Sequence, residues 1–312
     1  MLSRTWEEKR ENKQLRANLF RDISRIILSI GRVPQPRIGS FTIDNDGFLS
    51  LTNRPLSCEM HQLENEGIPI DMPRDLTYST TDSYVTDLLH CHRARLSHQP
   101  NAAHRVDDCL DQVAALSVME SVYSSFFRRD LRRGPFTLTL TDLHNSNIFV
   151  DKDWHVTSLV DLEWACACPI EMQHPPHWFT SHAVDHIDPE AYDEIRKDFM
   201  DAFKEEERMR PPLDLDADNF QRTNIMQQGW ETGNFWYCLA LSSPTGLHHL
   251  LYSHIQPIFS ETDSEETAFY RTMSHYWVRN LRQFLNTKVK DHEEYIVRLR
   301  KAFDVQEVPE GS

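Results

Sequence analysis

Glycine is scarce in this sequence, with nine residues among 312, and neither G-x-G-x-x-G nor G-x-x-x-x-G-K-[S/T] occurs. The chain therefore lacks the glycine-rich motifs that hold nucleotide phosphates in many enzymes. It also lacks any run of 18 apolar residues, and its charged amino terminus, MLSRTWEEKRENKQLR, has no apolar signal-peptide core. We therefore expect a cytoplasmic protein with no membrane partner.

Paired cysteine motifs are missing as well. The six cysteines form no C-x-x-C pair and no repeated framework, which favours free thiols in a reducing compartment. Cys166 and Cys168 form a C-x-C pair, whose side chains would share one face of a strand. Zinc would need two further nearby ligands, so we favour a structural role for this pair.

Basic residues are outnumbered by acidic ones, 33 to 48, which gives a formal net charge of −15. This excess argues against a nucleic-acid partner and is compatible with a cationic small molecule. With 39% hydrophobic and 26% charged residues, the composition is that of an ordinary globular protein. The length allows one large domain or two small ones.

The hydrophobic pattern predicts mostly helices around a small β-rich segment. Strands are predicted at 136–141, 148–151 and 156–160, and a hairpin is predicted in FTIDNDGFLSL, where Asn-Asp-Gly supplies the turn. Residues 52–78 and 204–218 are predicted to be irregular. Helices are predicted at about 6–30, 79–96, 106–133, 189–203, 219–241, 244–256, 264–285 and 290–304. The predicted fold class is therefore α+β.

The segment LTLTDLHNSNIFVDKDWHVTSLVDLEW, residues 138–164, places polar residues where buried strands end. If its two later strands pair through the short DKDWH turn, Asn147 and Asp161 lie at the same end of a hairpin. One carboxylate and one carboxamide are oxygen ligands that suit Mg²⁺, and Asp142 is then available to accept a proton. Together these are the parts needed for phosphoryl transfer.

A simpler interpretation exists for each of these residues taken singly. Asp142 and Asn147 are types that cap turns, and Asp161 could cap the next helix. The occurrence of all three on one strand-turn-strand frame favours the site over the caps.

The same segment resembles the catalytic segment of the aminoglycoside phosphotransferase and choline kinase families, which have a protein-kinase-like fold. Their pattern is approximately H-G-D-x-x-x-x-N followed by I-D-[WFL]-E, and the chain is similar to the fungal branch over about residues 15–290. The resemblance implies a catalytic base at Asp142 and Mg²⁺ ligands at Asn147 and Asp161. It also implies a supporting or substrate-facing acid at Glu163, with ATP and Mg²⁺ as cofactors.

The chain departs from the family pattern just before Asp142. Leu140 and Thr141 stand where the family has histidine and glycine, so the usual structural histidine is replaced by a residue that cannot hydrogen-bond. Either apolar packing holds the loop, or the site is slack. His144 lies inside the loop and either faces substrate or phosphate, or is solvated.

The resemblance also implies a carboxy-terminal kinase lobe without its amino-terminal partner. Lys9 and Lys13 are the lysines that precede the first hairpin, and neither lies in a predicted strand. We expect a linker helix over 1–35, the kinase-like lobe over 36–305 and a frayed tail over 306–312. A fragment of a longer kinase, a pseudokinase and a lobe borrowed from another chain all fit this expectation.

Three functions are compatible with the sequence. The first is an ATP- and Mg²⁺-dependent kinase for the hydroxyl of a small molecule or amino-alcohol, with substrate on the helical half after residue 165. Candidate substrate contacts there are Glu171, Asp185, Asp188, Glu190, Trp164, Trp178, Trp230 and Trp236.

The second function is a pseudokinase-type binding or regulatory module without catalysis. The third is a metal-dependent hydrolase built on His174, His177, His182 and His186, which prolines and the absence of H-E-x-x-H argue against.

Overall fold

Helices make up most of the described chain in the computed structural model, which describes residues 1–210, 221–259 and 266–304. The α+β class is as predicted from the sequence. The helices are α1 (Trp6–Lys9), α2 (Lys13–Ile30), α3 (Cys58–Asn65), α4 (Thr81–His98), α5 (Val106–Val122), α6 (Pro189–Arg208), α7 (Arg222–Glu231), α8 (Asn234–Leu241), α9 (Leu247–Leu250), α10 (Glu266–Ser274) and α11 (Leu281–Asp304).

Three small antiparallel sheets lie among these helices. The strands are β1 (Pro34–Gln35), β2 (Ser40–Ile43), β3 (Leu49–Asn53), β4 (Phe136–Leu140), β5 (Ile148–Val150), β6 (Val156–Leu159) and β7 (Ala165–Pro169). Strand order is β1-β4-β7 in one sheet, and β2-β3 and β5-β6 form two hairpins. Leu140 at the end of β4 pairs with Ala165 at the start of β7, so the segments on either side of the hairpin β5-β6 lie together.

The amino-terminal segment belongs to the main core. Two helices replace the single helix predicted over 6–30, because the Asn12 side chain accepts hydrogen bonds from the backbone of residues 14 and 15 and starts α2. Leu19 and Phe20 of α2 are fully buried. Trp6 stacks on Trp154, with ring centroids 5.4 Å apart, which ties α1 to the β5-β6 turn.

The prediction of an irregular segment over 52–78 was wrong in part, because α3 lies within it. Ser57 caps this helix by accepting a hydrogen bond from the Met60 amide, and Met60 and Leu63 are buried. A helix of eight residues offers too few apolar repeats to stand out by period. Strand β7 was also missed, because its alanines and cysteines are small and carry little strand signal.

Several predicted helices end earlier than expected. The helix predicted to reach residue 133 stops at Val122 and continues as short 3₁₀ turns. Gly233, with φ of 80°, divides the helix predicted over 219–241 into α7 and α8. The helix predicted over 264–285 ends at Ser274, and α11 begins at Leu281 rather than at 290.

Helix α6 begins as predicted at Pro189, directly after Asp188, whose side chain accepts hydrogen bonds from the amides of residues 190 and 191. It continues to Arg208, beyond the predicted start of an irregular segment at 204, because Glu206 on its last turn is buried and paired with Arg25. Residues 211–218 of that segment and the tail 306–312 lie outside the described residues. Among the helices that are described, none is both long and apolar enough to cross a membrane.

Candidate active site

The hairpin β5-β6 brings Asn147 and Asp161 to one end, and this prediction of its pairing is confirmed. Ile148 lies opposite Leu159, and the Val160 amide donates a hydrogen bond to the Asn147 carbonyl at 3.1 Å. The turn at the other end is held by Asp151, whose carboxylate accepts from two backbone amides at 2.9 Å. Asn147 and Asp161 therefore flank the open end of the hairpin.

Asp142 is held against Asn147 within a short loop. The Asn147 Nδ2 donates to the Asp142 Oδ2 at 2.9 Å and to the Asp142 carbonyl at 3.0 Å. The amide of His144 also donates to that carbonyl, at 2.9 Å. Asn147 is 7% exposed, so its carboxamide is fixed in place and fixes one oxygen of the Asp142 carboxylate in turn.

Asp161 adopts a left-handed backbone conformation, with φ of 56° and ψ of 50°. Aspartate is one of the few residues other than glycine that tolerate this region, which is common at functional sites. Its side chain is exposed and makes no hydrogen bond or ion pair with another described residue. Asp142, Asn147 and Asp161 together line a small cavity.

The donor set at this cavity fits a hard divalent cation. Among the described residues, none bonds to the Asp161 carboxylate, and the Asn147 Oδ1 accepts only from the rotatable hydroxyl of Ser146, at 3.2 Å. One carboxylate and one carboxamide oxygen suit Mg²⁺, which usually keeps several water or phosphate ligands.

Thr141 links the loop before the hairpin to the segment after it. Its Oγ1 donates to the Trp164 carbonyl at 2.6 Å, three residues beyond Asp161. Trp178 also holds this loop, because its Nε1 donates a hydrogen bond to the Leu143 carbonyl at 2.8 Å. Two hydrogen bonds therefore hold the loop that follows the half-buried Leu140.

A large cavity of about 360 Å³ adjoins the small one. Asp142 and its neighbours Leu140, Thr141 and Leu143 line both cavities, so Asp142 lies between them. His144 lines the large cavity too, with its ring 6.3 Å from those of His177 and Trp178. Burial lowers the pKa of His144, against the opposing effect of the Asp142 carboxylate.

Glu59 in the first turn of α3 is a cavity residue that sequence reasoning missed. Burial raises the pKa of Glu59, and the Asp142 carboxylate raises it further. Glu163 is exposed and lies two residues after Asp161. Burial raises the pKa of the Cys58 thiol, and the nearby carboxylates of Glu59, Asp142 and Glu163 raise it further. The sequence signal for Glu59 is weak, consisting of a serine cap followed by an acid in the first turn.

The acids proposed to contact substrate after residue 165 lie outside the cavity lining. Glu171 is buried and accepts a hydrogen bond from the Arg128 amide at 2.8 Å. The Asp185 Oδ1 lies 3.0 Å from the His186 Nδ1. Asp188 caps α6, and Glu190 lies in the first turn of that helix.

The proposed aromatic contacts divide between the site and the core. Trp164 lines the small cavity, and Trp178 packs beneath the loop. Trp230 lies under the Arg196 guanidinium at 4.9 Å, and Trp236 stacks on His254 with ring centroids 3.8 Å apart, so these two serve packing.

The histidine-rich segment does not converge on one point. His174 and His177 line the large cavity, whereas His182 and His186 are exposed. Cys166 and Cys168 lie buried in β7 with their sulfur atoms 3.3 Å apart. Within the part of the chain that the structure describes, no group of three or more His, Cys, Asp or Glu side chains is placed to hold a metal ion.

Comparisons of the whole chain with protein-family models, with curated proteins and with solved structures found no match.

Proposed function

We propose that the chain is a small-molecule phosphotransferase that transfers the γ-phosphoryl group of ATP to a substrate hydroxyl with the help of Mg²⁺. The observation that carries this proposal is the position of Asp142 between two cavities. The small cavity offers the oxygen atoms of Asn147 and Asp161 to a cation. The large cavity offers space for a substrate on the other side of the same carboxylate.

The roles of the side chains follow from their contacts. The Asn147 carboxamide engages one oxygen of Asp142, which leaves the other oxygen available to a hydroxyl. In the transfer, Asp142 takes the proton of the substrate hydroxyl. The hydroxyl oxygen bonds to the γ-phosphorus of ATP, and the bond between that phosphorus and the oxygen that leaves with ADP breaks. Mg²⁺ bound by Asn147 and Asp161 would neutralise charge on the phosphates.

A pseudokinase-type binding or regulatory module is the second candidate. It is favoured by the absence of a glycine-rich phosphate motif from the sequence. Loss of even one positioned donor to developing charge costs roughly 10²–10³-fold in rate, and a whole phosphate loop supplies several. In this case the large cavity would bind a ligand, and Asn147 and Asp161 a cation, without turnover.

Calorimetric titration with ATP, with and without Mg²⁺, tests the proposed site. We expect ATP binding to depend on Mg²⁺ and to weaken at least tenfold in Asp161→Asn, because the substitution removes the charged oxygen ligand. Asp201→Asn, on the exposed face of α6, is the matched control and should bind like the wild type. Absence of ATP binding, or binding that ignores both Mg²⁺ and Asp161, would contradict the proposal.

A further inference from the structure

The large cavity beside Asp142 is lined mainly by hydrocarbon. Side chains from α2, α3, α4 and α8 form its walls, among them Ile27, Met60, Leu63, Leu88, Phe235 and Leu239. At about 360 Å³, the cavity lies at the lower end of the range of small-molecule sites, about 300–1,000 Å³. A compact ligand fits such a space, whereas a large polyhydroxylated molecule would leave hydroxyl groups against apolar walls.

The charged groups of the cavity are few. Among the described lining residues none is lysine or arginine, and the carboxylates are Asp142 and Glu59. Burial lowers the pKa of His174 to about 3 and that of His177 to about 4, so both rings are neutral at pH 7. Burial already raises the pKa of Glu59. An apolar ligand in the cavity would remove more water from around this carboxyl and so would favour its neutral form.

We propose that this cavity binds a neutral alcohol whose skeleton is mostly hydrocarbon, with its hydroxyl at Asp142. The body of the ligand packs against the apolar walls, and Glu59 hydrogen-bonds at the polar end. An amine-rich ligand is disfavoured, because the lining residues that the structure describes include no acid besides the two beside the hydroxyl position. The role of the hydroxyl rests on the proposed phosphotransferase function, whereas binding in the cavity does not.

A chain-length series of simple alcohols provides the test. Calorimetric titration without ATP or Mg²⁺ would compare 1-hexanol, 1-heptanol and 1-octanol. We expect affinity to rise about fourfold with each added methylene, because each is transferred from water to an apolar wall. 8-Amino-1-octanol, which adds one charge at the far end of the same skeleton and so against the apolar walls, should bind no more tightly than 1-octanol.

Substitutions locate the binding. Leu88→Gln places a polar group on the half-buried wall contributed by α4 and should weaken 1-octanol at least tenfold. Met172→Gln is a second wall variant, for use if the first does not fold. Leu110→Gln, a half-buried position on α5 away from the cavity, is the matched control.

The outcomes separate this inference from the proposed function. Affinity that does not rise with chain length, tighter binding of the amine by tenfold or more, or no response to either wall variant would overturn the inference. If the alcohols bind as expected but ATP does not, the cavity assignment stands and the phosphotransferase proposal fails. If ATP binding requires Mg²⁺ and Asp161 but no alcohol binds, the inference alone fails.

Discussion

At the scale of single residues, the site depends on a few short contacts between polar side chains and backbone. The spacing of Asp142, Asn147 and Asp161 is visible in the sequence because all three lie within one strand-turn-strand segment. Glu59 could not be placed there by reading the chain, because its approach to Asp142 is set by how α3 packs. Thr141 likewise looked like a departure from a pattern, and its role depends on the 2.6 Å hydrogen bond to Trp164.

Thr141→Val tests whether that hydrogen bond positions the segment that carries Asp161, the proposed Mg²⁺ ligand. Valine keeps the shape of the side chain but removes the donor, so the segment that carries Asp161 should be held less firmly. We expect the Mg²⁺ concentration for half-maximal ATP binding to rise about 2- to 10-fold, with unfolding free energy reduced by ~1 kcal/mol or less. The measurement is ATP titration at varied Mg²⁺, beside a denaturant unfolding curve.

Thr141→Ser is the matched control, because it keeps the hydroxyl. A valine variant that needs no more Mg²⁺ than the serine variant would show that the contact is structural only.

At the scale of secondary-structure elements, prediction succeeded where local chemistry decides and failed where packing decides. The hairpins β2-β3 and β5-β6 were predicted because turn residues and alternating patterns mark them locally. Helix α4, predicted over 79–96, extends over Thr81–His98, and the Thr80 side chain caps its amino terminus. Helix α3 and strand β7 were missed because each is short and is stabilised by burial against other elements.

The consequence of those two misses is that the large cavity could not be foreseen. Helix α3 supplies Glu59, Met60 and Leu63 to its lining, and β7 supplies Cys168. The sequence therefore predicted the loop that joins Asp142 to Asn147, but the acids it offered as substrate contacts after residue 165 lie outside the cavity lining. A ligand cavity enclosed by several elements depends on tertiary packing, which single-chain periodicity does not report.

At the scale of the whole molecule, several titratable groups are buried in neutral form. Burial lowers the pKa of His92 to about 4, that of His174 to about 3 and that of His177 to about 4. Their stabilising contribution is complete above the ordinary pKa of 6.5 and is lost as pH falls towards 4. Burial acts in the opposite sense on Glu171, whose pKa is raised to about 7, so its contribution declines as pH rises from 4.5 to 7.

We therefore predict acid-sensitive folding. Burial also lowers the pKa of His254 to about 4, so the histidines outnumber Glu171 and unfolding takes up protons between pH 6.5 and 4.5. Each net proton taken up corresponds to a loss of stability of ~1.4 kcal/mol per pH unit. Denaturant unfolding measured from pH 8 to pH 4 checks the slope, and a stability that is flat over this range would contradict it.

His174→Phe assigns part of that slope to one residue. Neither ring nitrogen of His174 has a hydrogen-bond partner among the described residues, and its ring packs edge-on against Phe235. Phenylalanine should fit without loss of a hydrogen bond and reduce the acid slope by ~1.4 kcal/mol per pH unit. His182→Phe, at an exposed position, controls for the removal of an imidazole.

The measurement that tests the central proposal most directly is transfer of labelled γ-phosphate from Mg²⁺-ATP by the wild type and by Asp142→Asn, with 1-octanol or water as acceptor. The account predicts measurable transfer by the wild type and a fall of at least ~10²-fold in the variant, because the proton acceptor is lost while the Mg²⁺ ligands remain. Binding of Mg²⁺-ATP should be retained in the variant. Equal transfer by both proteins, or bound ATP with no transfer by the wild type, would contradict it.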